Sequence, residues 1–160
     1  MNVVPEQIAH GNWNTYHTVS MTGFGTCSIV VVYNKHGFLA SNISAGTELE
    51  KDAMTKLCAT YPGIKSTVFK NQSVKALILC EQLNIEKGGL MRSAAESLTL
   101  ASEIVVRYYD APSFLGTSPT TPGCHFSLGP FGNGFNAVLR GASGKSVNPL
   151  TASAGALKCP

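Results

Sequence analysis

The chain has 160 residues, the size of one domain, and 44% of them are apolar, so at this length a core can form without disulfide or metal staples. Only 13% are charged and the net charge is +3, with Lys and Arg scattered singly, which argues against a nucleic-acid surface. Ser, Thr, Gly and Asn supply the polarity instead, a balance that favours sheet and loop over exposed charged helices.

The longest apolar run, residues 29–33, falls far short of the roughly 20 residues of a membrane-spanning helix. Residues 1–10 lack a basic segment followed by an apolar one, which favours a cytoplasmic protein; secretion stays open for a chain from which a leader has been cut. Five cysteines, Cys27, Cys58, Cys80, Cys124 and Cys159, lie far apart without the spacings of a zinc site, so no metal is expected. In an oxidising compartment four of them can pair in three ways, leaving one thiol; in the cytosol all five stay reduced. Cys124 and Cys159 flank segments expected to be flexible, so a disulfide between them requires the oxidising case.

Residues 1–12 read as an irregular lead-in, and residues 13–21 as a strand with Trp13, Thr15, His17, Val19 and Met21 on one face. A glycine-punctuated turn over residues 22–26 follows. Residues 27–34 are apolar on both faces and predict a buried strand. Lys35 and His36 form a two-residue turn, with residues 38–43 returning. Thr47 and Glu50 have capping-box spacing ahead of a helix whose apolar positions run from Leu49 to Tyr61, with Glu48, Glu50 and Asp52 in a solvated first turn; Pro62 and Gly63 end it. Residues 67–70 and 74–80 predict strands, 88–102 a second helix and 104–109 a further strand. The Pro/Ser/Thr/Gly stretch 110–124 suggests a lid or disorder. Residues 125–128 and 135–140 predict a last hairpin around Gly129, Gly132 and Gly134. No helix follows those glycines, so they suit a bulged hairpin better than a phosphate cradle, and no cofactor is expected. The order describes one α+β, or layered α/β, domain over residues 1–140, with 141–160 as a flexible tail.

The segment "MTGFGTCSIVVVYNKHGFLASNIS", residues 21–44, poses the chemical question. A catalytic cysteine needs exposure, a lowered pKa and donors for an oxyanion. A turn holding Gly23 and Gly25 can adopt unusual backbone angles and aim N–H groups inward, with Thr22, Thr26 and Ser28 adding hydroxyls. The plain alternative is that the glycines make a hairpin and Cys27 packs as a small hydrophobe.

This hairpin resembles the active-site hairpin of the CheD family of chemoreceptor glutamine deamidases, with its G-x-G-S/T-C, apolar strand, turn and G-x-x-A-H. The order of later elements is similar over residues 13–140, although only the first hairpin is specific. The resemblance implies a CheD-like sandwich of mixed sheet with two helices and β-hairpins. It places Cys27 at the nucleophile, Thr26 at the hydroxyl residue before it and Thr22 nearest the supporting threonine. The family histidine falls on Ser41, and serine cannot take a proton from a thiol near neutral pH. Among other histidines, His36 lies roughly 27 Å along a regular hairpin and His17 about ten residues away. His10 and His125 remain as substitute bases reached by tertiary packing.

Two functions follow as expectations. In one, Cys27 attacks the side-chain amide of a protein glutamine, forms a thioester and releases ammonia, with donors at residues 25–28 holding the oxyanion. In the other, a non-catalytic relative uses the pocket or the 110–124 loop to bind a protein partner, a secreted effector being one version.

Overall fold

The β-branched run after Cys27 is buried on both faces and occupies the middle of the fold. In the computed structural model, which describes residues 1–115, 124–152 and 155–160, the chain forms β1 (Ile8–Asn12), β2 (Val19–Phe24), β3 (Ser28–Tyr33), β4 (Gly37–Ile43), α1 (Thr47–Ile64), β5 (Lys75–Glu81), α2 (Ile85–Ala95), β6 (Ile104–Tyr109), α3 (Ala111–Leu115), β7 (Cys124–Phe131), β8 (Gly134–Arg140) and β9 (Ser146–Val147). One sheet has five strands in the order β1-β4-β3-β5-β6, and the other has four, β2-β7-β8-β9. The mixed α+β, layered architecture expected from the sequence is thus present. All pairs in the larger sheet are antiparallel except β5 with β6, which are parallel and joined through α2.

Alternation along β3 sorts its residues between two cores. Ile29, Val31 and Tyr33 meet Phe126, Leu128 and Leu139 between the sheets. Val30 and Val32 meet Met54 and Leu57 of α1 and Met91 of α2 on the other face. A strand covered on both sides has no solvent face to mark with polar residues, which is why residues 29–33 read as unbroken apolar sequence.

The β3–β4 hairpin has the expected register, from Ser28↔Ile43 to Tyr33↔Phe38 around Lys35 and His36. Asn34 holds the turn: its Oδ1 accepts from the backbone N–H of His36 at 2.9 Å, and its Nδ2 donates to Phe69 O at 3.0 Å.

Several elements differ from expectation. The lead-in contains β1, a short strand without alternation that forms by pairing along β4. Residues 13–16 turn instead of extending, because Asn12 O accepts from the N–H groups of Thr15 and Tyr16. Trp13 enters the inter-sheet core and donates Nε1–H to Asn34 O at 2.8 Å. Lys70 and Asn71 have φ of 54° and 56°, which closes a turn where a strand over 67–70 was expected. α1 continues past Pro62 to Ile64. Its N-cap is Gly46, and Glu50 is buried in the core instead of capping the helix or meeting solvent. α2 starts at Ile85 and ends at Ala95, and Gly88 lies inside it because a Cβ there would stand 2.6 Å from the Tyr108 hydroxyl of β6.

The stretch expected as a loop over 110–124 begins as α3; residues 116–123 lie outside the described residues. The segment after residue 140, expected as a mobile tail, packs against the domain in its described part. β9 pairs with β8, Leu157 is buried, and its N–H donates to Tyr108 O at 2.7 Å. Apolar Leu150 and Leu157 among the small polar residues are what this docking uses.

Candidate functional site

Residues 25–27 join β2 of one sheet to β3 of the other, so the glycine-rich turn is the corner where the chain changes sheets. The β2–β7 register shifts between Thr22 and Phe24, placing a bulge at Gly23. Bulges bend a strand in this way, which gives the glycine a structural reason. Gly25 is not among the positive-φ glycines, and a Cβ on it would touch only Leu115 at 3.9 Å. The corner is tied from below by the Tyr109 hydroxyl, which reaches Cys27 O at 2.6 Å and Gly25 O at 3.0 Å.

Cys27 is half-buried against the inter-sheet core. Burial pushes its thiol above the ordinary value; the Gly25 backbone N–H pulls the other way, and the charge of Glu6 adds to the rise. Desolvation outweighs the single backbone donor, so the thiolate is disfavoured at neutral pH.

Parity across the hairpin decides what can reach Cys27. Register partners share a face, and Ile29 with Asn42 faces the inter-sheet core while Val30 with Ser41 faces the helices. Continuing the register sets Cys27 opposite Ser44, on the Asn42 side. Ser41, where the resemblance would place a histidine, therefore points through the other face of the sheet. It lines a small cleft with Ile8, Ile43, Asp52 and Lys56, and its hydroxyl donates to Gln7 O at 3.3 Å. The buried polar side chains on the cysteine's face are Asn42, whose Nδ2 donates to Val3 O at 3.2 Å and whose Oδ1 has no hydrogen bond, and Glu81, which the continued β3–β5 register sets opposite Cys27 and whose Oε2 accepts from Leu83 N at 2.8 Å. Asn42 also starts a glycosylation-type triplet, which its burial closes.

Neither substitute base comes to Cys27. His10 pairs with Leu39, a residue of the helix-side core, so it stands on the opposite face and several residues along the sheet. His125 pairs with Thr22 on the outer face of the four-stranded sheet, since its neighbours Cys124 and Phe126 point inward. Burial and the Arg140 charge lower its pKa. Thr22 is exposed on that same outer face, and Thr26 is exposed at the corner. The structure thus disperses the sequence-derived set: Cys27, Gly23 and Gly25 lie at or beside the corner, Thr26 faces solvent there, and Thr22, Ser41, His10 and His125 face elsewhere.

A second polar cluster lies on the helix face, without a motif in the sequence to mark it. There Glu50 accepts from Ser28 Oγ at 3.1 Å, and Lys87 Nζ stands 3.7 Å from its Oε2. Cys80 lies beside this cluster, and burial pushes its thiol up to about 12. The available signal was spacing, because Glu50 precedes Met54, Leu57 and Tyr61 on the buried stripe of α1. Beside it, α1 and α2 enclose a groove of about 530 Å³ lined by Glu50, Met54, Cys58, Leu90, Met91 and Ala94. That volume falls within the range of ligand pockets.

Among the described residues no three His, Cys, Asp or Glu side chains are grouped to hold a metal ion, and no helix is long and apolar enough to cross a membrane. No family model and no curated protein matches the chain.

Proposed function

We propose that this chain is a CheD-like domain without an assembled deamidase centre, which acts by binding a protein partner. The observation that carries the reading is the parity of the hairpin: Cys27 and position 41 face opposite sides of one sheet, and no histidine among the described residues faces the thiol. A deamidase needs a base to form the thiolate and an acid to expel ammonia, and neither His10 nor His125 fills these roles beside Cys27. The layered sandwich with helices on one face supports the CheD-like part of the reading.

For binding, α1 and α2 supply a groove on the helix face. Two methionines in its wall adapt to varied apolar shapes, and half-exposed Leu90 offers contact area at its lip. Charged Glu48, Lys51, Asp52 and Lys56 lie on the exposed side of α1 nearby. This pattern, an apolar floor with a polar margin, suits an apolar side chain from a protein segment.

Peptide-mapped alkylation of the native protein, run beside an ammonia-release assay on glutaminyl peptides, tests the proposal. Cys27 is expected to react slowly and no ammonia to appear. Cys58, within the groove, should label faster with N-phenylmaleimide than with N-ethylmaleimide. Ammonia release that disappears in Cys27→Ser would overturn the reading.

A further inference from the structure

We propose that Cys124 and Cys159 are a redox pair that closes into a disulfide, a covalent clasp holding the C-terminal segment at the start of β7. The β7–β8 register runs from Phe131↔Gly134 to His125↔Arg140, and one further step sets Cys124 opposite Gly141. Both residues are buried on the inward face. A Cβ built on Gly141 would lie 2.7 Å from Cys159 Sγ. The Cys159 sulfur therefore fills the space of the side chain that faces Cys124. Facing Cβ positions in antiparallel pairs are roughly 4.5–5.5 Å apart, and the Cys159 sulfur now rests 3.5 Å from Ser143 Oγ and 3.6 Å from Lys145 O, so closing the bond requires rotation of the two side chains toward each other.

The backbone holds this approach in place. Asp110 N donates to Leu157 O at 2.8 Å, and Cys159 N donates to Ser113 Oγ at 3.0 Å. Both cysteines are free thiols here. Cys159 is half-buried and open to a small oxidant, whereas Cys124 is sealed in the core. In keeping with this placement, burial first and the Cys159 charge last push the Cys124 thiol up to about 11.

With a low-molecular-weight disulfide as oxidant, the Cys159 thiolate attacks one of its sulfurs and expels one thiolate, leaving a mixed disulfide. The Cys124 thiolate then attacks the Cys159 sulfur and expels the second. Two protein thiols are oxidised and one external disulfide is reduced, the two protons given up by the protein thiols being taken up, through solvent, by the two expelled thiolates. The clasp reaches the Cys27 corner through α3: Phe114 O accepts from Ala142 N at 2.7 Å, and Leu115 lies against Gly25. It is independent of the binding reading.

The test is oxidation of the reduced full chain with glutathione disulfide, followed by non-reducing peptide mapping and thermal unfolding. A Cys124–Cys159 cross-linked peptide is expected, with Tm raised by about 5–10 °C for a loop of roughly 35 residues. Cys58→Ser should keep the cross-link. Cys159→Ser should abolish the cross-link and the Tm rise; being half-buried, it serves where Cys124→Ser does not fold. A wild-type chain that stops at glutathionylated Cys159, stays reduced, or cross-links another cysteine would overturn the proposal.

Discussion

The five-stranded sheet is used differently on its two faces. Toward the four-stranded sheet it meets an apolar layer, in which Trp13, Phe38 and Phe135 stack with centroids 4.8 and 5.8 Å from the Trp13 ring, with buried Asn42 and Glu81 on the same face near the Cys27 corner. Toward the helices it buries apolar residues too, but it also carries the Ser28–Glu50–Lys87 cluster and an open groove. The first face is closed and serves stability. The second keeps a charge pair and a concavity at some cost in packing, and features of that kind accompany binding more often than folding.

The sharpest way to break this contrast is to remove matched apolar groups from the two faces. Phe126 is fully buried between the sheets, and Phe126→Ala is expected to lose about 3–5 kcal/mol through transfer and cavity terms. Leu90 at the groove lip is 50% exposed, and Leu90→Ala should change stability by no more than about 0.5 kcal/mol. Urea unfolding of both variants measures the difference. Equal losses would mean that the groove is closed in solution.

The charge pair sharpens the comparison further. Glu50→Ala leaves Lys87, which is 19% exposed, without its carboxylate, and strands the Ser28 hydroxyl. A loss of about 2–3 kcal/mol is expected, a little below that for a fully buried pair. Replacing both, Glu50→Leu with Lys87→Met, should recover most of it in the same unfolding measurement, because no buried charge then remains. If the double variant is no better than the single one, the cluster contributes more than paired charge.

The legibility of the chain follows the range of the forces involved. Hairpin register was readable because turn chemistry at Asn34 and Gly37 is local, and from it the pairing of Cys27 with position 44 follows directly. The same parity places Ser41 on the wrong face for Cys27, so the transfer of a family histidine onto Ser41 and the hairpin geometry disagree within the sequence itself. β1 was missed because Ile8, Ala9 and Gly11 carry no alternation and extend only by pairing with β4. The burial of Glu50 was obscured by its place in a first helical turn, where acids are ordinarily solvated and favoured by the helix dipole. The packing of the C-terminal segment was invisible because its composition is polar and only Leu150 and Leu157 anchor it. Where His10 and His125 point depends on which sheet each strand joins, and no local spacing encodes that.

The outer face of the four-stranded sheet gives the smallest effect, carried by His125. Its partner across β8 is Arg140 and across β2 is exposed Thr22, so no carboxylate offsets the guanidinium. Burial first, and the Arg140 charge second, hold its pKa below the ordinary 6.5. Between that depressed value and 6.5 the unfolded chain binds more protons than the folded one, so stability rises with pH across this window. The His125 contribution is therefore present above 6.5 and is lost as pH falls through the folded value. His125→Gln should match the parent in Tm at pH 7.5 and exceed it at pH 5, where the parent must either charge an imidazole beside Arg140 or hold it neutral at a cost. Thermal melts of both proteins at the two pH values measure this. A variant that tracks the parent at both would mean that His125 titrates alike in the folded and unfolded chains, and the outer face would then be electrostatically inert.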